Sequence, residues 1–419
     1  MAPTYTLPYL AGLTPPDWEV TLHDEIEGEV NFDEPVDLVG ISAFTCLAPR
    51  AYAIADAYRK RGVTVVIGGI HPTALPEEAL QHADAVVVGE AEPVWEKLLN
   101  DFRKNSLKKI YKAERLCNLK KLPPARFDLL NPKIYTLNTV LTFTTRGCPY
   151  HCEYCSISIA HGPKYRKRPI DEVVEEIIFL KEKYLSGKDV GVDFIFADDN
   201  IWGDVQYFKD LFRELIPLKI TWVAQASVDP CSDDELIELA IESGCKSLQI
   251  GFETIDPGNL REINKCHNKP FLYREVINKI HCAGLPIIGG FMVGFYNDTL
   301  DTFREIEKFI DENRIELPSL AIPSPFPGTK LHERLEREKK IFSKDWSRYD
   351  FTDLVFEPYN MSRQELKKTY VDVHRRMFSE ECIERRMEQF KEQHPWLFMI
   401  NYNKSKYFYE TDYTEWINE

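Results

Sequence analysis

The chain has no run approaching the ~20 consecutive apolar residues that a membrane-spanning helix requires, so no span is expected. Its first residues hold no basic segment leading into an apolar core, and no secretory signal peptide is expected. Positive charge is in deficit: 52 Lys and Arg face 67 Asp and Glu, a net charge of −15. A general nucleic-acid binder needs a basic surface to neutralise phosphates, and this balance argues against one. Disulfide-type cysteine spacing is missing as well. Of ten cysteines, Cys46, Cys117, Cys231, Cys245, Cys266, Cys282 and Cys382 are scattered without a second close-spaced set. In a reducing cytoplasm they read as free thiols, most of them small buried hydrophobes. What is present is ordinary for a folded protein of two or three domains: 419 residues, 44% apolar and 28% charged.

The other three cysteines are concentrated. Thr144-Thr-Arg-Gly-Cys-Pro-Tyr-His-Cys-Glu-Tyr-Cys155 places Cys148, Cys152 and Cys155 in a Cys-x3-Cys-x2-Cys run. The β-branched segment 139–144 before it reads as a strand, so the thiols sit in a loop at a strand end. Three thiolates on one short loop can each hold one iron of a cubic 4Fe–4S cluster, whereas the usual ferredoxin cluster takes four cysteines. With no fourth cysteine nearby, one iron is left free to bind something else. An open position of that kind separates catalytic from structural metal sites. The bland alternatives are three unrelated buried cysteines or a zinc knuckle, for which His151 is the extra ligand candidate in the loop.

Upstream, β-branched runs at 18–22, 36–41, 63–67 and 84–88 alternate with helical patterns at 48–61 and 91–102. That alternation predicts a parallel, doubly wound α/β sheet. Ligands of such sheets bind beyond the carboxyl ends of the strands, here 42–47, 68–73 and 89–92, where paired glycines let backbone approach a ligand. Residues 106–135 mix Lys, Leu and Pro and read as a connection. Beyond it, strands are predicted at 138–144, 191–197, 219–225, 246–252, 286–293 and 316–322, each followed by an amphipathic helix. The clearest helix is 171–185, with Val173, Val174, Ile177, Ile178, Phe179 and Tyr184 on its buried side.

Chemistry should gather at the carboxyl ends of these strands. Polar residues stand there: Asp198-Asp199-Asn200, Gln225-Ala-Ser227 and Gln249-Ile-Gly-Phe-Glu253. Gly289-Gly-Phe-Met-Val-Gly294 and Pro323-Ser-Pro-Phe-Pro-Gly-Thr329 follow. Acidic residues at strand ends also cap the next helix, a reading open to Asp199. The basic run 164–168 reads as a solvated loop, or one shielding an anionic site, rather than an RNA contact. Toward the C-terminus a helix is expected at 362–390, with Leu366, Tyr370, Val373 and Met377 as its core face. The aromatic stretch 396–416 either closes a barrel mouth or docks on the barrel, docking being the default.

Together these features resemble the radical S-adenosylmethionine superfamily, whose usual aromatic before the third cysteine is matched by Tyr154. Residues 7–111, including Asp37-Leu-Val-Gly-Ile-Ser42 and Gly68-Gly-Ile-His-Pro-Thr73, are similar to the cobalamin-binding domain of its class B members. The resemblance implies an α/β architecture: a Rossmann-like cobalamin-binding domain (1–105), a linker (106–136), a partial (β/α)6 radical SAM barrel (137–330) and a small α-rich C-terminal domain (331–419). It implies that Cys148, Cys152 and Cys155 ligate the cluster. It places S-adenosylmethionine against Tyr154, Asp198, Asp199, Gln225, Ser227, Glu253 and Gly294. Cobalamin would be bordered by Ser42, Thr45, Cys46, Leu47, Gly69, His71, Gly89 and Glu90. The signature Asp-x-His-x-x-Gly is absent, which implies base-off cobalamin with no histidine below the cobalt, His71 serving to cap a turn. The family normally opens with an extra apolar strand before the segment matching 7–13, so a shortened sheet or a missing start is expected.

The activity implied is C-methylation. One S-adenosylmethionine methylates cob(I)alamin, a second is cleaved reductively at the cluster, and the resulting deoxyadenosyl radical takes hydrogen from an unactivated sp3 carbon that then receives the methyl. Such carbon–hydrogen bonds are too weakly acidic for base catalysis, so cofactors carry the hard step and the protein holds the carbon between them. A reductant such as ferredoxin or flavodoxin is implied as partner. The compact length and single tail resemble archaeal enzymes that methylate a glutamine of methyl-coenzyme M reductase, which implies a protein or peptide substrate, with a small molecule as the alternative. The competing readings are a cyclase or oxidative enzyme on a tetrapyrrole or lipid, and a non-catalytic cobalamin or cluster binder.

Overall fold

The structure is a computed structural model that describes residues 4–131, 135, 139–185 and 192–419. The expected strand starts at 138 and 191, and linker positions 132–134 and 136, lie outside the described residues. Four parallel strands, β1 (Leu38–Ser42), β2 (Thr64–Gly68), β3 (Ala85–Val88) and β4 (Ile110–Lys112), form the first sheet in sequence order. Alternation along β2 explains its two-sided cover. Val65 and Ile67 face Tyr52 and Ala55 of the helix Ala48–Lys60, while Val66 faces Trp95, Leu98 and Leu99 of the helix Trp95–Arg103.

Two expectations fail in this region. Residues 18–22 keep a strand-like alternation of exposure but pair with no strand among the described residues. Trp18 instead lies on Phe102, with the Arg103 guanidinium 4.5 Å from its ring. The fourth strand is β4, which had been read as linker: its short exposed-buried-exposed pattern is too brief to register as a strand until β3 offers an edge. The rest of that connection is not a free linker either. Cys117, Leu119, Ala125, Phe127 and Leu130 are buried in the main core, and Tyr9 of the helix Thr6–Leu13 joins them.

The second sheet follows. Strand β5 (Val140–Thr142) leads into a small antiparallel hairpin, β6 (Thr145–Arg146) with β7 (Arg166–Lys167). Then come β8 (Phe194–Phe196), β9 (Trp222–Ala226), β10 (Cys245–Glu253), β11 (Ile287–Met292) and β12 (Leu317–Ala321). Six of these strands lie parallel in the order β12-β11-β10-β9-β8-β5, a six-stranded open barrel wall. All six had been expected within a few residues.

On the helix Ile170–Tyr184 the buried side is Val173, Glu176, Ile177 and Leu180, while Ile178 and Phe179 are exposed, contrary to expectation. The stripe is rotated because Glu176 turns inward to pair with the buried Arg168. The basic run is solvated only in part: Lys164 and Lys167 are exposed, whereas Arg166 and Arg168 are internal ion-pair partners. Among the scattered cysteines only Cys117, Cys231 and Cys245 are buried; Cys266 and Cys282 are exposed.

The expected single helix at 362–390 is two, Arg363–Met377 and Glu380–Met387. Ser379 starts the second as its N-cap with Glu380 and Glu381 in the first turn, a local signal strong enough to break the run. Leu366, Tyr370, Val373 and Met377 are buried as expected. The aromatic tail forms the helices Pro395–Glu410 and Thr414–Asn418 and docks on the barrel flank, where Asn401 donates to the Glu316 carbonyl at 3.0 Å. No helix among the described residues is long and apolar enough to cross a membrane.

Candidate active site

The cysteine loop is tied to the neighbouring strand end by one carboxylate. Asp198, just beyond β8, accepts from the backbone N–H of Thr144 (3.0 Å) and Thr145 (2.5 Å) and from their hydroxyls (2.7 and 2.6 Å). It is fully buried, and desolvation pushes its carboxyl up to about 6 despite those bonds. Asp199 accepts from the Gly147 N–H (2.7 Å) and from His161 Nδ1 (2.8 Å). Gly147 turns the chain at φ +86, and any side chain there would strike the Lys164 carbonyl. Asn200 Nδ2 reaches Cys148 Sγ at 4.0 Å. The resemblance placed S-adenosylmethionine against Asp198 and Asp199. In the structure Asp198 takes all its bonds from the loop, while Asp199 holds the loop and His161 through Oδ2 alone.

Cys148, Cys152 and Cys155 are unpaired and half-buried. Burial pushes Cys148 up, Cys152 to about 11 and Cys155 to about 12. A bound metal centre would reverse this, since ligation takes the thiolate. Among the described residues no three His, Cys, Asp or Glu side chains converge on a single-ion position. Three thiols spread along one loop suit a cube in which each binds its own iron. His151 is exposed.

The other strand ends close around the loop. Gln225 is exposed at the end of β9, and buried Ser227 donates its N–H to Asn200 Oδ1 at 3.2 Å. Glu253 ends β10 with φ +64 and binds the buried Lys265 Nζ at 2.5 Å; Lys265 in turn lies 3.4 Å from the Tyr154 hydroxyl. Gly294, at φ +113, gives its N–H to Asp298 (2.8 Å), whose carboxyl burial raises to about 7. Since the strands are parallel, these residues share one rim with the cysteines, the rim where barrel chemistry gathers. Lys265 and Asp298 were missed by the sequence reading. Neither belongs to a motif, and a buried lysine leaves no local signal.

A second rim lies at the carboxyl ends of β1–β3. Ser42 ends β1, and the turn Thr45–Leu47 follows. Thr45 is buried and Cys46 half-buried, but Phe44 and Leu47 are 58% and 52% exposed. Gly69 (φ +106) lies so close to Ala43 that a Cβ would sit 2.6 Å from its carbonyl oxygen. Gly89 (φ +80) faces open space and donates its N–H to Thr73 Oγ1 at 2.9 Å.

His71 is fully buried. Its Nε2 lies 3.2 Å from Glu78 Oε1, its ring packs edge-on to Trp346 at 5.3 Å, and its Nδ1 has no hydrogen-bond partner among the described residues. Exposed apolar side chains, the open space at Gly89 and the orphaned ring nitrogen of His71 fit a large, mostly apolar macrocycle.

Glu90 does not belong to that rim's free surface. It accepts from Arg146 (2.9 Å), Arg166 (2.7 and 2.9 Å) and the Cys117 N–H (2.7 Å). Burial would raise its carboxyl, but the two guanidinium groups hold it below the usual glutamate value. Arg146, two residues before Cys148, also binds Glu92 at 2.6 Å. A buried ion-pair cluster thus ties the end of β3 to the hairpin that carries the cysteine loop.

Two family descriptions cover these two rims: the Radical SAM superfamily matches residues 142–310, and the B12 binding domain matches residues 13–99. The bacteriochlorophyllide d C-12(1)-methyltransferase of Chlorobaculum tepidum is 32% identical over 395 residues, 93% of this chain and 85% of that protein. This chain belongs to the cobalamin-dependent radical SAM methyltransferases. A second relative, the bacteriochlorophyllide d C-8(2)-methyltransferase of the same organism, is 32% identical over 382 residues, 87% of this chain and 84% of that protein. In fold the chain is similar to the radical SAM methyltransferase TsrM of Kitasatospora setae, a structure with cobalamin and a 4Fe–4S cluster bound. The TM-score there is 0.61 at 17% identity, over 73% of this chain and 68% of that one. The enzyme accordingly uses a 4Fe–4S cluster, S-adenosylmethionine and cobalamin.

Proposed function

We propose that this radical SAM enzyme methylates an unactivated sp3 carbon of a broad, largely apolar small molecule of the tetrapyrrole kind. The observation that carries this reading is the 32% identity to two bacteriochlorophyllide methyltransferases, each matched over most of its length. In this reading Cys148, Cys152 and Cys155 hold the cluster, and Tyr154 packs behind them. Gln225, Ser227, Glu253 and the Gly294 backbone receive S-adenosylmethionine, in the 137–330 barrel. Ser42, Thr45, Cys46, Leu47, Gly69, His71 and Gly89 receive cobalamin, in the 1–105 domain. When bound, these groups supply hydrogen-atom abstraction and a transferable methyl. The chain's part is to hold the two reactive centres opposite each other and to exclude water between them.

The protein works in a reducing cytoplasm with a ferredoxin or flavodoxin as electron donor. A glutamine of methyl-coenzyme M reductase is the second reading of the substrate, supported by the compact chain and its single tail. The test is anaerobic. The chain is reconstituted with iron, sulfide and cobalamin, then given S-adenosylmethionine, a strong reductant and either a chlorophyllide-type tetrapyrrole or a glutamine peptide of that reductase. Mass spectrometry should show 5′-deoxyadenosine and S-adenosylhomocysteine in pairs with a methylated tetrapyrrole. A methylated peptide with the tetrapyrrole untouched would transfer the proposal to the protein substrate. Deoxyadenosine alone, with no cobalamin retained, would refute both.

A further inference from the structure

Lys265 lies in a segment that walls the cysteine loop. The Ile263 carbonyl accepts from the Glu153 N–H at 2.8 Å, and Asn264 donates to the His151 carbonyl at 2.8 Å. Lysines seldom leave water, yet this one is buried with its ammonium between Glu253 and the Tyr154 hydroxyl. The fold bends to admit it. Glu253 adopts a left-handed backbone that side chains other than glycine resist, and β10 slips register between Gly251 and Glu253. Gly251 leaves the necessary room: a Cβ there would lie 2.5 Å from Glu253 Oε1 and 3.0 Å from Lys265 Nζ. Asn268 secures the bend by donating to the carbonyls of Gly251 (2.9 Å) and Phe252 (3.1 Å). Local strain maintained by surrounding structure marks a functional position.

The arrangement has an electrostatic consequence for whatever the cysteines hold. One-electron reduction by an external donor adds a negative charge to a cluster already carried on three thiolates. In a low-dielectric interior the nearest fixed charges decide how costly that is. The Lys265 charge acts on Cys148, Cys152 and Cys155, and Glu253 opposes it at Cys152. We propose that Lys265 is a positioning residue for the cluster whose buried positive charge, partly offset by Glu253, raises the cluster's reduction potential. The proposal rests on the cysteine loop holding the cluster.

The test uses the full chain, anaerobically reconstituted, without S-adenosylmethionine or substrate. Iron and sulfide are quantified first, and the midpoint potential is then read from the paramagnetic signal of the reduced cluster. Lys265→Gln should move the midpoint to more negative potential, Glu253→Gln to less negative potential, and Lys265→Arg should stay near wild type. A structural role alone would lose cluster from both neutral variants without opposite shifts. Unchanged potentials, or shifts of the same sign, overturn the proposal. If Lys265→Gln does not fold, Glu253→Gln against Lys265→Arg decides it: a less negative midpoint in the first with no change in the second supports the proposal, and two wild-type midpoints overturn it. A wild-type chain that takes up no iron overturns the cluster assignment and the proposal with it, a failure that iron analysis identifies before any titration.

Discussion

The two strand-end rims of this molecule are built by opposite means. Around the cysteine loop the charged side chains are largely buried and paired: Thr144 and Thr145 converge on Asp198, two donors on Asp199, and the Lys265 ammonium on Glu253. At the ends of β1–β3 the surface is bare backbone and exposed apolar side chains, Gly69 and Gly89 beside Phe44 and Leu47. The difference follows from what each rim receives. A small charged molecule chelated at an iron needs fixed geometry in a low dielectric, where charge-assisted hydrogen bonds are strong. A broad macrocycle is recognised through clearance and apolar area, which need no saturated network. The rims meet at Glu90, Glu92, Arg146 and Arg166, which pair with one another.

The contrast breaks most sharply at Cys152. Cys152→Ala should abolish the cluster and all cleavage of S-adenosylmethionine while cobalamin retention persists, as read by iron content and by the absorbance of the cobalamin that copurifies. Next in size is the shared clamp. Arg146→Met leaves Glu92 buried without its cation and takes one of two arginines from Glu90, and breaking a buried pair in this way costs on the order of 3–5 kcal/mol. Guanidinium unfolding of the anaerobic protein should register that loss, with both cofactors bound more weakly because both rims are displaced.

Smaller effects separate the two glycines of the cobalamin rim. Gly69→Ala meets the Ala43 backbone as well as an unfavourable φ and should cost about 1–3 kcal/mol, with cobalamin loss but unchanged iron. Gly89→Ala, with nothing within 4 Å, should cost only the backbone strain of roughly 1–2 kcal/mol. Equal costs at the two positions would show that clearance is not what the first glycine provides. The least effect on stability is expected at the exposed apolar surface. Leu47→Ser should change unfolding free energy by no more than about 0.5 kcal/mol yet lower cobalamin retention, measured by equilibrium dialysis. Unaltered retention would remove apolar contact from the account of that rim.

Much of this was legible in the chain before folding was considered. The Cys-x3-Cys-x2-Cys spacing needs only three thiols on one loop, and period-two or 3.6 patterns announced the six strands of the larger sheet and their helices. Such features are local, so residues a few positions apart carry them. Strand β4 escaped notice because three residues with one buried side chain become a strand only against β3. The inward turn of Glu176, and with it the exposure of Ile178 and Phe179, depended on the buried Arg168, which lies just before the helix and which no apolar periodicity announces. Asp198, Asp199 and Glu90 sit at the strand ends where ligand contacts were expected, and each also bonds groups distant in sequence. Chain order thus determined which residue types line the two rims and that three thiols share a loop. Tertiary structure alone decided which carboxylates remain for a ligand and which become internal counter-ions, because burial and pairing arise only when distant elements meet in a medium too poor in water to leave a charge unpartnered.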